Sequence, residues 1–310
     1  MSEMDEAITV FDRRAHRLRR DRAARLVDAA EPVLALVADR LAERLDDTTR
    51  RFSRALDLGG RHGLMAERLR ARGIPFVASA DLSPAMALRA AARGLCAVAA
   101  DEESLPFADG AFDLVVSNLS LHWVNDLPGA LIQIRRALAP DGLFLATLWG
   151  FGTLAPLREA FLSAEAEVTG GAAPRVSPFA DLRDCAALLQ RAGFALPVAD
   201  AETITLEYRD PFALFADLRA LGETNALAAR SRRPLSRAVL ARAVSRLAAS
   251  ARDGVIATPV VVATLTGWAP HPSQPRPLPR GSATARLADA LGAEERAHGE
   301  AMLAPPGAAR

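Results

Sequence analysis

Three aspartates close three short apolar runs: Asp57 within residues 54–63, Asp81 after residues 74–80, and Asp101 after residues 95–100. The first run reads Arg-Ala-Leu-Asp-Leu-Gly-Gly-Arg-His-Gly, a buried strand, a glycine-bearing turn and the entry to a helix. Gly59 and Gly63 let backbone come close to a ligand, and a helix N-terminus presents unpaired N–H groups. Together they make a nucleotide-sized site. In an open parallel sheet, ligands bind at the carboxyl ends of the strands. A carboxylate ending the second strand can accept hydrogen bonds from ribose hydroxyls. One at the third can take an exocyclic amine, and one near the first can meet a cationic group. A single strand-end aspartate is usually a turn former. Three in register behind a glycine turn favour a ligand site.

The elements that must position them follow from periodicity. Ser83 and Pro84 supply a cap and a first-turn proline for a helix to about residue 93. Residues 112–117 read as a fourth strand, 127–138 as a helix and 143–148 as a fifth strand. Strands apolar on both faces, alternating with amphipathic helices, call for a parallel sheet covered on both sides. Beyond it the spacing predicts helices over 153–168, 182–190, 210–221 and 236–251. Strands are expected over 203–208 and 255–265, the latter interrupted at Pro259. Residues 269–281 hold five prolines and read as an extended surface segment, with a short helix over 283–291 and a loose end.

Ahead of the sheet, apolar residues recur at helical spacing over 19–45, with Pro32 making two helices or one kinked helix. Residues 12–25 carry seven arginines. They read first as a solvated helix face and second as a site for an anion or acidic partner. Phe11 is the one aromatic nearby, so no nucleic-acid partner is expected. Net charge is +1 and all 38 basic residues are arginine, which reads as composition bias. Cys96 and Cys185 have neither metal nor disulfide spacing and read as reduced core thiols. No His/Cys/Asp/Glu set has metal-ligand spacing, so no metal is expected. Acids at the start of the chain and the lack of a membrane-length apolar run point to a cytoplasmic protein.

The ordered set Asp57-Leu-Gly59, Asp81, Asp101-Glu-Glu-Ser-Leu-Pro-Phe107, Phe112 to Asn118 and Pro140-Asp-Gly142 resembles the motifs of class I S-adenosylmethionine-dependent methyltransferases over residues 50–150. That resemblance implies a Rossmann-like, doubly wound, mostly parallel seven-stranded α/β sheet with S-adenosylmethionine as cofactor. It places Asp57, Gly59 and Gly63 around the methionine part and Asp81 on the ribose, with Leu82 also among the cofactor-binding residues. Asp101 and Glu102 fall near the adenine, and Asn118 to His122 line the site. A narrower resemblance spans most of the chain. Phe11-Asp-Arg-Arg14, Ser120-Leu-His-Trp-Val-Asn125, Gly170-Gly171 with Ser177-Pro-Phe179, Asp217-Leu-Arg219, Gly222-Glu-Thr-Asn225, Gly281-Ser282 and Arg286 to Asp289 resemble methyltransferase-like assembly factors of respiratory complex I and their bacterial relatives. The malonyl-carrier-protein methyltransferases of biotin synthesis are neighbours. For the assembly factors the resemblance implies work on an arginine of an iron–sulfur subunit by hydroxylation, for which no iron-ligand motif supplies an oxidant.

One position departs from the family pattern of acidic-x-Gly-x-Gly-x-Gly: the middle glycine is Arg61. Its side chain can swing outward, pair with the methionine carboxylate, or occupy the pocket. The first two keep cofactor binding and are the expected outcomes. A sulfonium carries its own reactivity, so spacing assigns no catalytic residue. On the substrate side stand His122 (a base or a structural histidine), Trp123 (packing in the first place), and Glu223 with Asn225. That last pair can hold a cationic substrate such as arginine, or act as solvated caps. The expected organisation is a helical segment over 1–50, the cofactor core over 51–150, substrate-side helices and last strands over 151–268, and a tail over 269–310. The expected function is methyl transfer to an unidentified acceptor, a protein side chain being one class. The alternative is an assembly factor acting on a partner protein without methyl transfer. A dinucleotide enzyme is disfavoured because Gly-x-Gly-x-x-Gly spacing is absent.

Overall fold

In a computed structural model that describes residues 9–275 and three isolated positions further on, seven strands form one sheet in the order β3-β2-β1-β4-β5-β7-β6. The parallel part comprises β1 (Arg54–Leu58), β2 (Phe76–Asp81), β3 (Cys96–Ala99), β4 (Phe112–Asn118) and β5 (Leu138–Trp149). β6 (Ala195–Tyr208) and β7 (Ile256–Trp268) close the other edge, with β7 antiparallel to both neighbours. Apart from positions 285, 289 and 292, the expectations for residues 276–310, including the motif residues Gly281, Ser282 and Arg286, lie outside the described residues.

Alternation along the central strands fills two separate cores. Leu56, Val115 and Phe144 pack with Leu131, Ile134 and Leu189, from α5 (Leu127–Ala137) and α7 (Leu182–Arg191). Ala55, Leu114 and Leu145 point the other way, onto Ala38, Leu41, Met65 and Leu69. Those four belong to α2 (Glu31–Glu43) and α3 (Leu64–Ala71). Side chains alternate faces at period two, so a strand buried on both faces needs helices on both. The remaining helices are α1 (Arg13–Ala23), α4 (Pro84–Ala92), α6 (Ala155–Thr169), α8 (Pro211–Ala220) and α9 (Arg237–Ala249).

Several expectations are corrected. The first helix starts at Arg13, capped by Asp12, ahead of the expected start at residue 19; of the two arrangements open at Pro32 the structure has two helices, with Pro32 in the first turn of α2. Pro259 lies inside β7 opposite Thr205. The β5 ladder reaches only Val262, so the missing N–H of Pro259 falls where no neighbour strand needs it. β6 runs 14 residues because β7 pairs with it far beyond its short alternating stretch. Cys96, expected in the core, is exposed on the edge strand β3, while Cys185 is buried; both are free thiols.

Candidate functional site

Strand order reverses between β1 and β4, so the crevice opens where those strands end, at Asp57 and Asn118. The turn after β1 is built for close approach. A side-chain Cβ at Gly59 would collide with Ser120, and one at Gly60 with Asp57 and Ser79. Gly59 and Gly63 sit at φ +70 and +88, and Gly63 precedes the first residue of α3. The Asp57 carboxylate is fully buried and accepts the Ala66 amide at 3.1 Å. Burial pushes its pKa up to about 7. Asp81 ends β2, capping Ser83 N–H at 2.8 Å and accepting the Arg61 amide at 2.9 Å. Asp101 and Glu102 follow β3, and Glu102 accepts the Ser120 hydroxyl at 2.9 Å. Leu82 is half-buried between Asp81 and α4. The Asn118 side chain is turned away to the Leu34 carbonyl and Thr147, so its backbone carbonyl faces the turn.

The arginine-rich helix is not simply a solvated face. Arg14 and Arg17 are exposed, but Arg13, His16 and Arg20 form one face, spaced three and four apart, against the strand ends. Arg13 pairs with Asp101 and Glu102 and donates to the Trp123 carbonyl at 3.2 Å. Arg20, fully buried, pairs with Asp81 and donates to the Gly59 carbonyl at 3.2 Å. His16 stacks on Trp123 at 4.6 Å, and burial, with Arg20 and Arg13 close by, drives its pKa well below the ordinary value. The acidic partner of the arginine cluster is the chain itself. The helix is anchored through Phe11, whose amide and carbonyl pair with the Asn125 side chain at 2.8 and 3.1 Å.

Of the three dispositions open to Arg61, the structure has the inward one. Its side chain is 3 % exposed, at φ +51. Its guanidinium donates to the carbonyls of Asn118 (2.9 Å) and Leu119 (2.8 Å) and to Glu223 (2.9 Å). Burial, with Arg20 nearby, pulls its pKa down to about 10.

Glu223 is where the cofactor side and a second space meet. Its side chain is 6 % exposed, so it is no solvated cap. One oxygen receives Arg61; the other receives the Trp123 indole N–H at 2.9 Å and faces His122 Nε2 at 3.0 Å. Burial opposes its charge, but His122, Arg61 and Arg20 outweigh that and hold its carboxyl below the ordinary value. Behind it lies a cavity of about 340 Å³, walled by Trp149, Leu157, Phe161, Phe179, Phe215 and Leu218, with Glu223 and Asp217 among its polar groups. Asn225 also lines this cavity, but its side chain ties the loop to Pro174 and Leu227 instead of to Glu223.

Residues 56–146 match the family described as Methyltransferase domain. The human protein named arginine-hydroxylase NDUFAF5, mitochondrial, is 38% identical over 290 residues, covering 91% of this chain and 84% of that protein. This chain belongs to the NDUFAF5 family. A neighbour of the NDUFAF5 family, the malonyl-[acyl-carrier protein] O-methyltransferase of Halorhodospira halophila, is 40% identical over 253 residues, 79% of this chain and 83% of that one. In fold, the NDUFAF5-family chain is similar to the Bacillus halodurans protein BH2331 (TM-score 0.53, 16% identity, 74% of this chain and 99% of that one).

S-adenosylmethionine is the cofactor of the methyltransferase domain. The donor set here suits it in kind: a turn closed to a Cβ at Gly59 and Gly60, then acids at three successive strand ends. Asp81 is engaged by Arg20 and the Arg61 amide, and Asp101 and Glu102 by Arg13, so at those two strand ends the fit is one of exchange, whereas Asp57 holds the Ala66 amide. Arg13, His16 and Arg20 escaped the sequence reading, although their spacing on one helix face was the available signal. The expectation of no metal cluster rests on spacing. In the fold Asp28, Glu31 and His62 bring ligand atoms within 4.8 Å of one another. Arg89 and Arg93 already pair with those carboxylates, which makes the group an ion-pair network.

Proposed function

We propose that this protein acts on a cationic side chain of a partner protein, arginine in the first place, with S-adenosylmethionine held at the glycine turn. The observation that carries the reading is Glu223. It is a buried, ionised carboxylate at the wall of an apolar cavity, and the group it already holds is a guanidinium. A planar guanidinium and a carboxylate match in geometry and charge, and burial strengthens the pair. The name of the human relative, an arginine hydroxylase, agrees with that acceptor class.

In this reading Asp81 with Leu82 holds the ribose, Asp101 and Glu102 the adenine, and Asp57, Gly59, Gly63 and the Asn118 carbonyl the methionine part. When bound, S-adenosylmethionine supplies an electrophilic methyl group. The chain's own work is to orient the acceptor and exclude water. Trp123 and His122 fix the Glu223 carboxylate, and the aromatic wall keeps the acceptor dry. With Nε2 of His122 donating to Glu223, Nδ1 is buried without a partner among the described residues. In this reading His122 is the base candidate, acting from behind Glu223 because it does not itself line the cavity. The compartment proposed is the cytoplasm, supported by two thiols left unpaired; no described helix is long and apolar enough to cross a membrane.

The test pairs calorimetry with mass spectrometry of a capped peptide bearing one arginine. Binding of that peptide, weaker by about tenfold or more for its neutral citrulline counterpart, is the expected result. A methyl mass gain dependent on S-adenosylmethionine is expected with it. Equal binding of both peptides overturns the acceptor. A second reading, partner binding without methyl transfer, is favoured by Arg61 standing in the glycine turn. It prevails if the arginine peptide binds and no mass is gained.

A further inference from the structure

The guanidinium of Arg61 is held by oxygens from three parts of the chain. Asn118 and Leu119 carbonyls end β4, the Leu221 carbonyl caps α8, and Glu223 follows in the next loop. Carbonyls only accept, a helix C-terminus carries partial negative charge, and Glu223 is ionised. Such a set holds a cation of any chemistry and rejects an anion. We propose that these oxygens form a cation subsite, that Arg61 is its resting occupant, and that a ligand's cationic group enters only in exchange for Arg61.

Three observations support exchange over permanent filling. Arg61 sits at φ +51, between Gly59 and Gly63 at +70 and +88. A side chain in that region costs about 1–2 kcal/mol, so this is a position where glycine would relax the turn. The space beside it, lined by Asp57, Gly59, Gly60 and His62, amounts to about 10 Å³. That is room for about one water, so a ligand at the turn requires the side chain to leave. Glu223 and Leu221 also line the 340 Å³ cavity, so the subsite is within reach of a group arriving from the acceptor side. The shared chemistry is a cation. Its source is either the cofactor, through its ammonium or sulfonium, or an acceptor guanidinium.

Calorimetry on the full chain tests this with wild type, Arg61→Gly and Arg61→Gln. The probes are S-adenosylmethionine, S-adenosylhomocysteine, the capped arginine peptide and its citrulline counterpart. If a resting occupant must leave first, removing it should raise affinity for a cationic probe by about tenfold or more in Arg61→Gly. A gain for S-adenosylmethionine exceeding that for S-adenosylhomocysteine identifies the sulfonium as the entering group, and an equal gain for both identifies the ammonium. A gain for the arginine peptide, absent for citrulline, identifies the acceptor. Affinities within twofold of wild type for every probe, or a loss, overturn the proposal. The cofactor arm is independent of the acceptor proposed above, whereas the peptide arm rests on it, so the two failures are separable. Thermal unfolding without ligand checks each variant's fold. If Arg61→Gly does not fold, Arg61→Gln, which keeps the side chain's bulk without its charge, carries the same comparison.

Discussion

Asp57 carries a pH dependence that can be read in stability. Its folded pKa of about 7 lies above the ordinary aspartate value, so the folded chain keeps a proton that the unfolded chain releases. Its contribution is therefore full at low pH and lost as pH rises from about 4 to 7, where burying the charge costs roughly 4 kcal/mol. Asp57→Asn keeps an acceptor for the Ala66 amide and removes the titration. Urea midpoints should show the variant gaining on wild type steadily across that window, and a constant difference would refute the assignment. Glu223 behaves with the opposite sign: its depressed pKa contributes stability above the ordinary glutamate value that is lost in acid. Replacing it with glutamine leaves buried Arg61 facing a neutral amide, a loss of about 3–5 kcal/mol for a broken buried pair. At this scale the strand-end acids were legible, because an apolar run that stops at a carboxylate names its own position. The place of Glu223 was not: its partners Arg61, His122 and Trp123 lie 100 to 162 residues away in sequence, and local pattern carries no such information.

Helix α1 is two surfaces with different energetics. Arg20→Ala strands Asp81 in a buried site, and about 3–5 kcal/mol of stability should go with it. Arg14→Ala or Arg17→Ala, on the exposed side, should stay within about 0.5 kcal/mol. Denaturant unfolding of the three variants separates these surfaces, and similar losses from all three would mean that the site face is not what holds the helix. Because Arg20 sits on the carboxylate proposed for the ribose, cofactor affinity should also change in Arg20→Ala while Arg14→Ala leaves it alone. The sequence made the helix visible but favoured the wrong surface, since an arginine every three or four residues looks the same whether it meets water or a buried acid. The α/β alternation was legible throughout the parallel sheet. Element lengths in β6 and β7 were not, because pairing between the two strands overrides weak local alternation.

For the molecule as a whole, a crowded switch-point crevice and a roomy cavity adjoin, and Glu223 with Leu221 belongs to both neighbourhoods. Cofactor and acceptor sites should therefore be separable by substitution. Leu218→Trp places bulk in the cavity wall, away from the strand ends. Arginine-peptide binding should fall by about tenfold or more while S-adenosylmethionine binding is kept, as expected when one pocket is filled and another is not. Parallel loss of both would place the acceptor elsewhere. The seven-stranded architecture could be anticipated from motif order. The cavity could not, because its walls are assembled from helices and strands distant in sequence.

Trp123 gives this molecule an optical signal of its own. The indole lies under the imidazole of His16 at 4.6 Å and donates to Glu223. Of the three tryptophans, it is the one that joins α1 to the Glu223 cluster. If the helix lifts, Trp123 trades a quenching ring for water while its Glu223 partner stays, so its emission should move to the red and change in intensity. Entry into the crevice can then be timed in a stopped-flow fluorimeter without a dye or a label.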